Sequence, residues 1–138
     1  MTNLVRFSIS LDESLLQKFD LRLKEQNYKN RSEAIRDLIR ENLIEKEWAQ
    51  NAEVAGTITL VYDHHRRGLV QKLTALQHSY HHMIISTQHI HLDHDNCLEV
   101  IIVRGKARSL SQLTDNLKTV KGVKYGNLAM ATSGKELI

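Results

Sequence analysis

Proline is absent from this chain of 138 residues, and glycine occurs only six times. There is therefore no proline-rich or collagen-like segment, and six glycines are too few for a flexible spacer. A single cysteine excludes an internal disulfide framework. A lone thiol suits a reducing compartment, where it is free to serve as metal ligand or nucleophile. No apolar run approaches the roughly 20 residues of a membrane-spanning helix. The opening MTNLVRFSIS lacks the apolar stretch of a secretion signal. The expectation is a cytoplasmic protein. Neither sign of charge dominates. Residues 1–50 hold nine basic and nine acidic side chains, and residues 51–138 hold ten and seven, so the second half carries the whole formal excess of +3. A bias of that size is a weak argument for a nucleic-acid partner.

What the chain has is histidine, unevenly placed. All eight histidines lie between His64 and His94, and Cys97 follows directly. The length fits one average domain or two small ones, and the pattern divides in two.

Arg6-Phe7-Ser8-Ile9-Ser10-Leu11 alternates polar and apolar residues. The alternation predicts a strand with Phe7, Ile9 and Leu11 on one face and Arg6, Ser8 and Ser10 on the other. Asp12 suits a helix N-cap, and Leu15, Leu16, Phe19 and Leu23 follow at helical spacing. A second helix is expected from Asn30 or Ser32, with Glu33 placed as in a capping box. Its apolar stripe runs through Ala34, Ile35, Leu38, Ile39, Leu43 and Ile44. One strand and two helices cannot close a core, and an unpaired strand is an exposed edge. The simplest remedy is a second copy, with strands paired antiparallel and helices interlocked.

A boundary is expected between Gln50 and Val54. Beyond it the pattern predicts a strand at 56–62, a helix at 66–83 and a strand at 84–92. Asp93-His94-Asp95-Asn96 signals a turn. A strand at 97–103 follows, its Val and Ile run suggesting burial on both faces, then a helix at 107–121 and a strand at 123–131. This strand-helix-strand-strand-helix-strand order is the ferredoxin-like split βαβ pattern. The fold class is α+β, with domains at 1–50 and 54–138.

A two-stranded ribbon can enter the DNA major groove with its outward side chains on base edges. Here those are Arg6, Ser8 and Ser10. The start of the second helix, Asn30-Arg31-Ser32, offers free backbone N–H groups to a phosphate, and Arg31 and Arg36 can add contacts. The same alternation also describes an ordinary solvated strand.

His89 and His91 share a strand face, and Cys97 lies across the short turn on the next strand. Two imidazoles and a thiolate are three convergent ligands for zinc, copper or nickel. Glu99 shares the face of Cys97 and can accept a ligand histidine's N–H. His78 lies near the end of the preceding helix. His64 and His65 beside Arg66 and Arg67 read as solvated loop residues, His81 and His82 as surface residues, and His94 as exposed. Three other functions compete. An enzyme would use Cys97 as a nucleophile or keep an open metal position. No oxyanion hole is marked, and the first half would be idle. A metal-storage or delivery protein would use the histidines alone. A regulator sensing a small molecule would leave His89, His91 and Cys97 idle.

RFSISLDESLLQKFD followed by YKNRSEAIRDLIREN resembles a ribbon-helix-helix DNA-binding domain, most specifically in NRSEAIRDLIR from Asn30 to Arg40. VYDHH, LQHSYHH, HIHLDHDNCLEV and GVKYGNL follow in the order and spacing of the nickel-responsive ribbon-helix-helix regulators, the NikR family. The resemblance covers nearly the whole chain. It implies a DNA-binding N-terminal domain and a ferredoxin-like, ACT-like C-terminal domain that tetramerises as a dimer of dimers. It implies a square-planar nickel(II) site, one per chain, from His89, His91 and Cys97 of one subunit and His78 of a neighbour. Tyr62, Gln77 and Glu99 match positions that support the site, and His64 matches a secondary metal position. Arg6, Ser8 and Ser10 fall in base-reading positions, with Asn30, Arg31 and Ser32 near the phosphates. Members most often repress nickel-uptake genes, so the implied partner is double-stranded operator DNA, and no enzymatic activity is implied.

Arg6→Ala should abolish specific operator binding, removing about 1–3 kcal/mol of base discrimination per bidentate contact, while leaving metal binding intact. Competition between operator and unrelated duplex in a gel-shift assay checks it; unchanged discrimination would refute the ribbon assignment.

Overall fold

The computed structural model describes residues 3–137. By its contacts the chain divides into one unit ending at Glu41 and a second beginning at Asn42.

The first unit contains helix α1 (Glu13–Glu25) and the larger part of helix α2 (Arg31–Ala49). Asp12 caps α1 as expected. Its carboxylate accepts from the Ser14 hydroxyl at 2.6 Å and the Ser14 N–H at 2.9 Å. Those two bonds hold the carboxyl below its ordinary value. Asn27, at φ 61°, takes the left-handed conformation between the helices. Asn30 then accepts from the Glu33 N–H at 2.9 Å and starts α2.

Residues 3–12 form neither helix nor strand in the single chain, so the strand expected at Arg6–Leu11 is not formed. A strand exists through hydrogen bonds to a neighbour, and this unit contains no other strand among its described residues. Phe7 is 68% exposed and Ile9 57%. The apolar face expected of the strand is therefore uncovered.

The last turns of α2 belong to the second unit, where Trp48 is buried in the core and its indole N–H donates to the Ala131 carbonyl at 2.8 Å.

The second unit follows the expected order: β1 (Glu53–Asp63), α3 (Leu69–Ser79), β2 (Ile84–His91), β3 (Asn96–Lys106), α4 (Ala107–Lys118) and β4 (Val123–Met130). A 3-10 turn at His81–Met83 ends the segment read as one helix to residue 83. The sheet order is β2-β3-β1-β4, every pair antiparallel. This is the ferredoxin-like arrangement. Val54, Ile58, Leu60 and Tyr62 alternate into the core. They join Leu69 and Leu73 of α3 and Leu110, Leu113 and Leu117 of α4. Gly56 is required where β4 comes close, because a Cβ there would lie 2.8 Å from the Ala129 carbonyl oxygen.

The expectation that β3 is buried on both faces is corrected. Cys97, Glu99, Ile101 and Val103 are buried, whereas the alternate residues Leu98 and Val100 are half-buried and Ile102 is exposed. Within one chain the helices cover one face only, and the Val/Ile run reflects an open apolar face. No helix among the described residues is long and apolar enough to cross a membrane.

Leu113→Ala should cost about 2–5 kcal/mol by leaving a cavity at a fully buried position. Urea unfolding of the full chain checks it; a loss below about 0.5 kcal/mol, the size of an ordinary surface change, would place Leu113 outside the core.

Candidate metal centre

The β2–β3 hairpin is closed by Asp93. Its carboxylate accepts from the N–H groups of Asp95 at 2.9 Å and Asn96 at 2.7 Å, and from the Asn96 carboxamide at 3.1 Å. Bonds from Asn96, first from its backbone, hold the Asp93 carboxyl below its ordinary value. The turn sets the register His91↔Cys97 and His89↔Glu99. All four side chains thereby share the sheet face that carries the core.

Cys97 is fully buried. Its Sγ lies 3.4 Å from His91 Nδ1 and 3.1 Å from His64 Nδ1. The ligand atoms of these three residues lie within 4.8 Å of one another. Metal bonds to imidazole and thiolate span about 2.0–2.3 Å, so small rotations bring all three onto one ion. Two imidazoles and a buried thiol are a soft to borderline donor set, which fits zinc, copper or nickel.

His89 stands one pleat away, its ring centroid 5.4 Å from that of His91. Its Nδ1 lies 3.4 Å from the Tyr62 hydroxyl and 3.9 Å from Glu99 Oε1. Glu99 is buried and well supplied with donors. The Tyr62 hydroxyl donates to it at 3.4 Å and the Gln77 carboxamide at 2.9 Å. Burial, then the charge of Glu99, pushes the Tyr62 phenol far above its ordinary value, so it remains an O–H donor. The Thr87 hydroxyl donates in turn to Gln77 Oε1 at 3.3 Å.

Two placements differ from the ligand set implied by resemblance. Within one chain His64, not His89, completes the group with His91 and Cys97. His78 joins no three-ligand group among the described residues; it lies near the end of α3 with its ring 5.8 Å from that of His81. His64 is not the solvated loop residue its neighbours suggested. The pairing Tyr62↔Cys97 and Asp63↔Asn96 carries it to the sulfur.

In the first unit Arg6, Ser8 and Ser10 are exposed. The Asn30 carboxamide is used as the cap. Arg31 forks the Asp20 carboxylate at 2.9 and 2.8 Å, which lowers the Asp20 pKa. Ser32 sits in the exposed first turn of α2, where its carbonyl accepts from Arg36 Nε at 3.3 Å.

Residues 5–46 match the family described as ribbon-helix-helix protein, copG family, and residues 55–131 match the NikR C terminal nickel binding domain. A nickel-responsive regulator of Desulfotalea psychrophila is 57% identical over 134 residues, covering 97% of this chain and 98% of its own. One of Syntrophus aciditrophicus is 53% identical over 135 residues, covering 98% of both chains. One of Pyrococcus abyssi is 54% identical over 137 residues, covering 99% of both. Among solved structures, an uncharacterized protein of Thermotoga maritima shares the fold of part of the chain. Its TM-score is 0.51 at 13% identity, over 56% of this chain and 95% of that one.

Burial, followed by the charges of Asp63, Asp93 and Glu99, raises the Cys97 thiol above its ordinary 9.0. The metal-free fold therefore favours the protonated thiol. That stabilisation is complete below the ordinary value and is lost as pH rises through the raised one. Iodoacetamide alkylation of Cys97 in the metal-free chain should be slow near neutrality and still accelerating past pH 9.0. A rate that levels off below about pH 8, under the ordinary thiol range, would show a stabilised thiolate instead.

Proposed function

The chain belongs to the family of nickel-responsive ribbon-helix-helix transcriptional regulators, and from that premise we propose that it represses nickel-uptake genes by binding operator DNA when nickel(II) is bound. The family is one of regulators, not enzymes. The proposed ligands are His89, His91 and Cys97 of one subunit and His78 of a neighbour, one ion per chain. The observation that carries the reading is the approach of His91 Nδ1 to Cys97 Sγ at 3.4 Å, with His89 on the same face. This pair sits in a chain whose other half is a ribbon-helix-helix domain.

Each residue has a distinct part in this proposal. Cys97 gives up its proton and presents a thiolate. His89 and His91 are held two apart by the strand. Glu99, fixed by Tyr62 and Gln77, orients the His89 ring and favours one tautomer. His64 is a secondary ligand beside the sulfur. Bound nickel supplies a bridge between β2 of one copy and α3 of the next.

The surfaces support a homotetramer, a dimer of dimers. β2 is an edge strand exposed along nearly its whole length, with Ile85 62% exposed. The adjoining sheet face carries Leu98, Val100 and Ile102. In the other half, Phe7, Ile9 and Leu11 await a paired ribbon. Residues 1–50 are the DNA-binding domain and 54–138 the metal-binding and tetramerising domain of a cytoplasmic protein. In the paired ribbon Arg6, Ser8 and Ser10 face the bases, with Asn30, Arg31 and Ser32 near the phosphates.

Nickel tightens DNA binding only through a higher affinity for the DNA-competent state, so operator must tighten nickel binding by the same factor. Titration of the reduced chain should give a saturable sulfur-to-nickel charge-transfer band at one ion per chain, absent in Cys97→Ala. Nickel affinity should rise when operator duplex is present. An affinity unchanged by operator, or a band retained in Cys97→Ala, would overturn the reading.

A further inference from the structure

The alternation that puts His89 and His91 on one face of β2 puts Thr87 there as well. Thr87 pairs with Ile101, His89 with Glu99 and His91 with Cys97, and all three partners on β3 are buried. Thr87 itself is exposed in the single chain, and an exposed threonine on a strand is ordinary. Its hydroxyl is nevertheless engaged. It reaches across to the last turn of α3 and donates to Gln77 Oε1 at 3.3 Å. Gln77 in turn donates to Glu99 at 2.9 Å and immediately precedes His78, the ligand proposed to serve a neighbouring subunit.

Chemistry sets the direction of each bond in this series. A carboxylate only accepts, so Gln77 Nε2 faces Glu99 Oε2 and the amide oxygen is left facing Thr87. The other carboxylate oxygen, Oε1, takes the Tyr62 O–H at 3.4 Å. With that proton committed, the Tyr62 oxygen can only accept from His89 Nδ1, 3.4 Å away. His89 therefore carries its proton on Nδ1 and keeps the Nε2 lone pair for an ion. A carboxamide turned end for end would set its oxygen against Glu99, two acceptors with no proton between them. The Thr87 hydroxyl is the second anchor that holds the amide in the working orientation.

We propose that Thr87 is a positioning residue for the metal centre, acting through Gln77 in two directions. In one, it steadies the Gln77 carboxamide against Glu99, and Glu99 with Tyr62 orients the His89 ring and fixes its tautomer. In the other, it fastens the last turn of α3, and with it His78, to the strand that carries His89 and His91. The inference rests on the nickel reading above, because the ligands it positions are the ones assigned there. Deleting the hydroxyl leaves all four proposed ligands chemically intact and loosens only their support. The ion is then held less tightly, while the sulfur-to-nickel bond keeps its signature.

The test pairs Thr87→Val, which keeps the shape and deletes the hydroxyl, with Thr87→Ser, which keeps the hydroxyl. Nickel affinity of the full chain is read by competition with a chelator. The metal-free chain is read by nitrogen-15 chemical shifts of the His89 ring at about pH 8, above the ordinary histidine range, which report the tautomer with no ion present. Thr87→Val should weaken nickel binding about two- to tenfold, the size of one neutral hydrogen bond, with the sulfur-to-nickel band retained. The His89 shifts should move toward a mixture of tautomers, and Thr87→Ser should restore both readouts. In a Gln77→Ala background Thr87→Val should add nothing, because its effect runs through Gln77. Affinity or ring shifts unchanged in Thr87→Val, no restoration in Thr87→Ser, or an additive loss in Gln77→Ala would overturn the role. A wild-type chain without the sulfur-to-nickel band would refute the nickel reading. His89 shifts that still move in metal-free Thr87→Val would then leave the positioning of that ring standing, and shifts that do not would overturn it too.

Discussion

The antiparallel pairing of β1 with β3 sets Tyr62 opposite Cys97 and Asp63 opposite Asn96, and the chemistry of the second unit follows from that register. It puts Tyr62 on the face of Glu99 and carries the chain beyond β1 toward the sulfur. A slip of one residue would turn Cys97 and Glu99 to the opposite face of the sheet. Leu98 and Val100 would then point at the helices, and the thiol would stand in the open. The register is held by the core: Ile58, Leu60 and Tyr62 from β1 and Ile101 and Val103 from β3 pack in one cluster with α4. The grouping of the candidate ligands and the hydrophobic packing are therefore two consequences of one alternation.

That arrangement carries an electrostatic tension. Glu99 is buried, and a buried carboxylate is costly unless hydrogen-bonded. Tyr62 and Gln77 supply the bonds. The thiol beside it is buried too, facing the negative charge of Asp63, Asp93 and Glu99. In the metal-free chain the tension is relieved by keeping the proton on sulfur and the phenol. A dication relieves it differently, by balancing the thiolate and lying near the carboxylates. The same residues thus favour the thiol without a metal and the thiolate with one, and the occupied state depends on both pH and metal concentration.

How much was legible depended on how local each contact is. The hairpin joining His89, His91, Cys97 and Glu99 is closed by a turn of a few residues, and the spacing alone puts these candidate side chains on one face. The second unit's element order was likewise readable, because each strand and helix shows its own period. His64 was misread from its loop because Cys97 lies 33 positions away in sequence and is reached only through the pairing of β1 with β3. β3 was misread because an apolar run looks the same whether its second face meets a helix or another molecule. The Arg6–Leu11 strand was legible as a pattern yet absent from the single chain, since its hydrogen-bond partner lies in no part of the described unit.

The exposed ribbon residues and the open face of β3 are one kind of incompleteness in two places. A single six-residue ribbon cannot satisfy its backbone groups internally, and a sheet covered on one side leaves aliphatic side chains in water. Apolar patches of this kind mark surfaces that associate, and the proposed homotetramer would cover both by self-complementarity. His89 and His91 lie on β2, the exposed edge strand that bounds the open face. Any ligand added from a neighbouring copy must arrive across that edge. If the fourth ligand comes from a neighbouring copy, as proposed, assembly and metal binding stabilise each other through linkage: the ion favours the associated state by as much as association raises affinity for the ion.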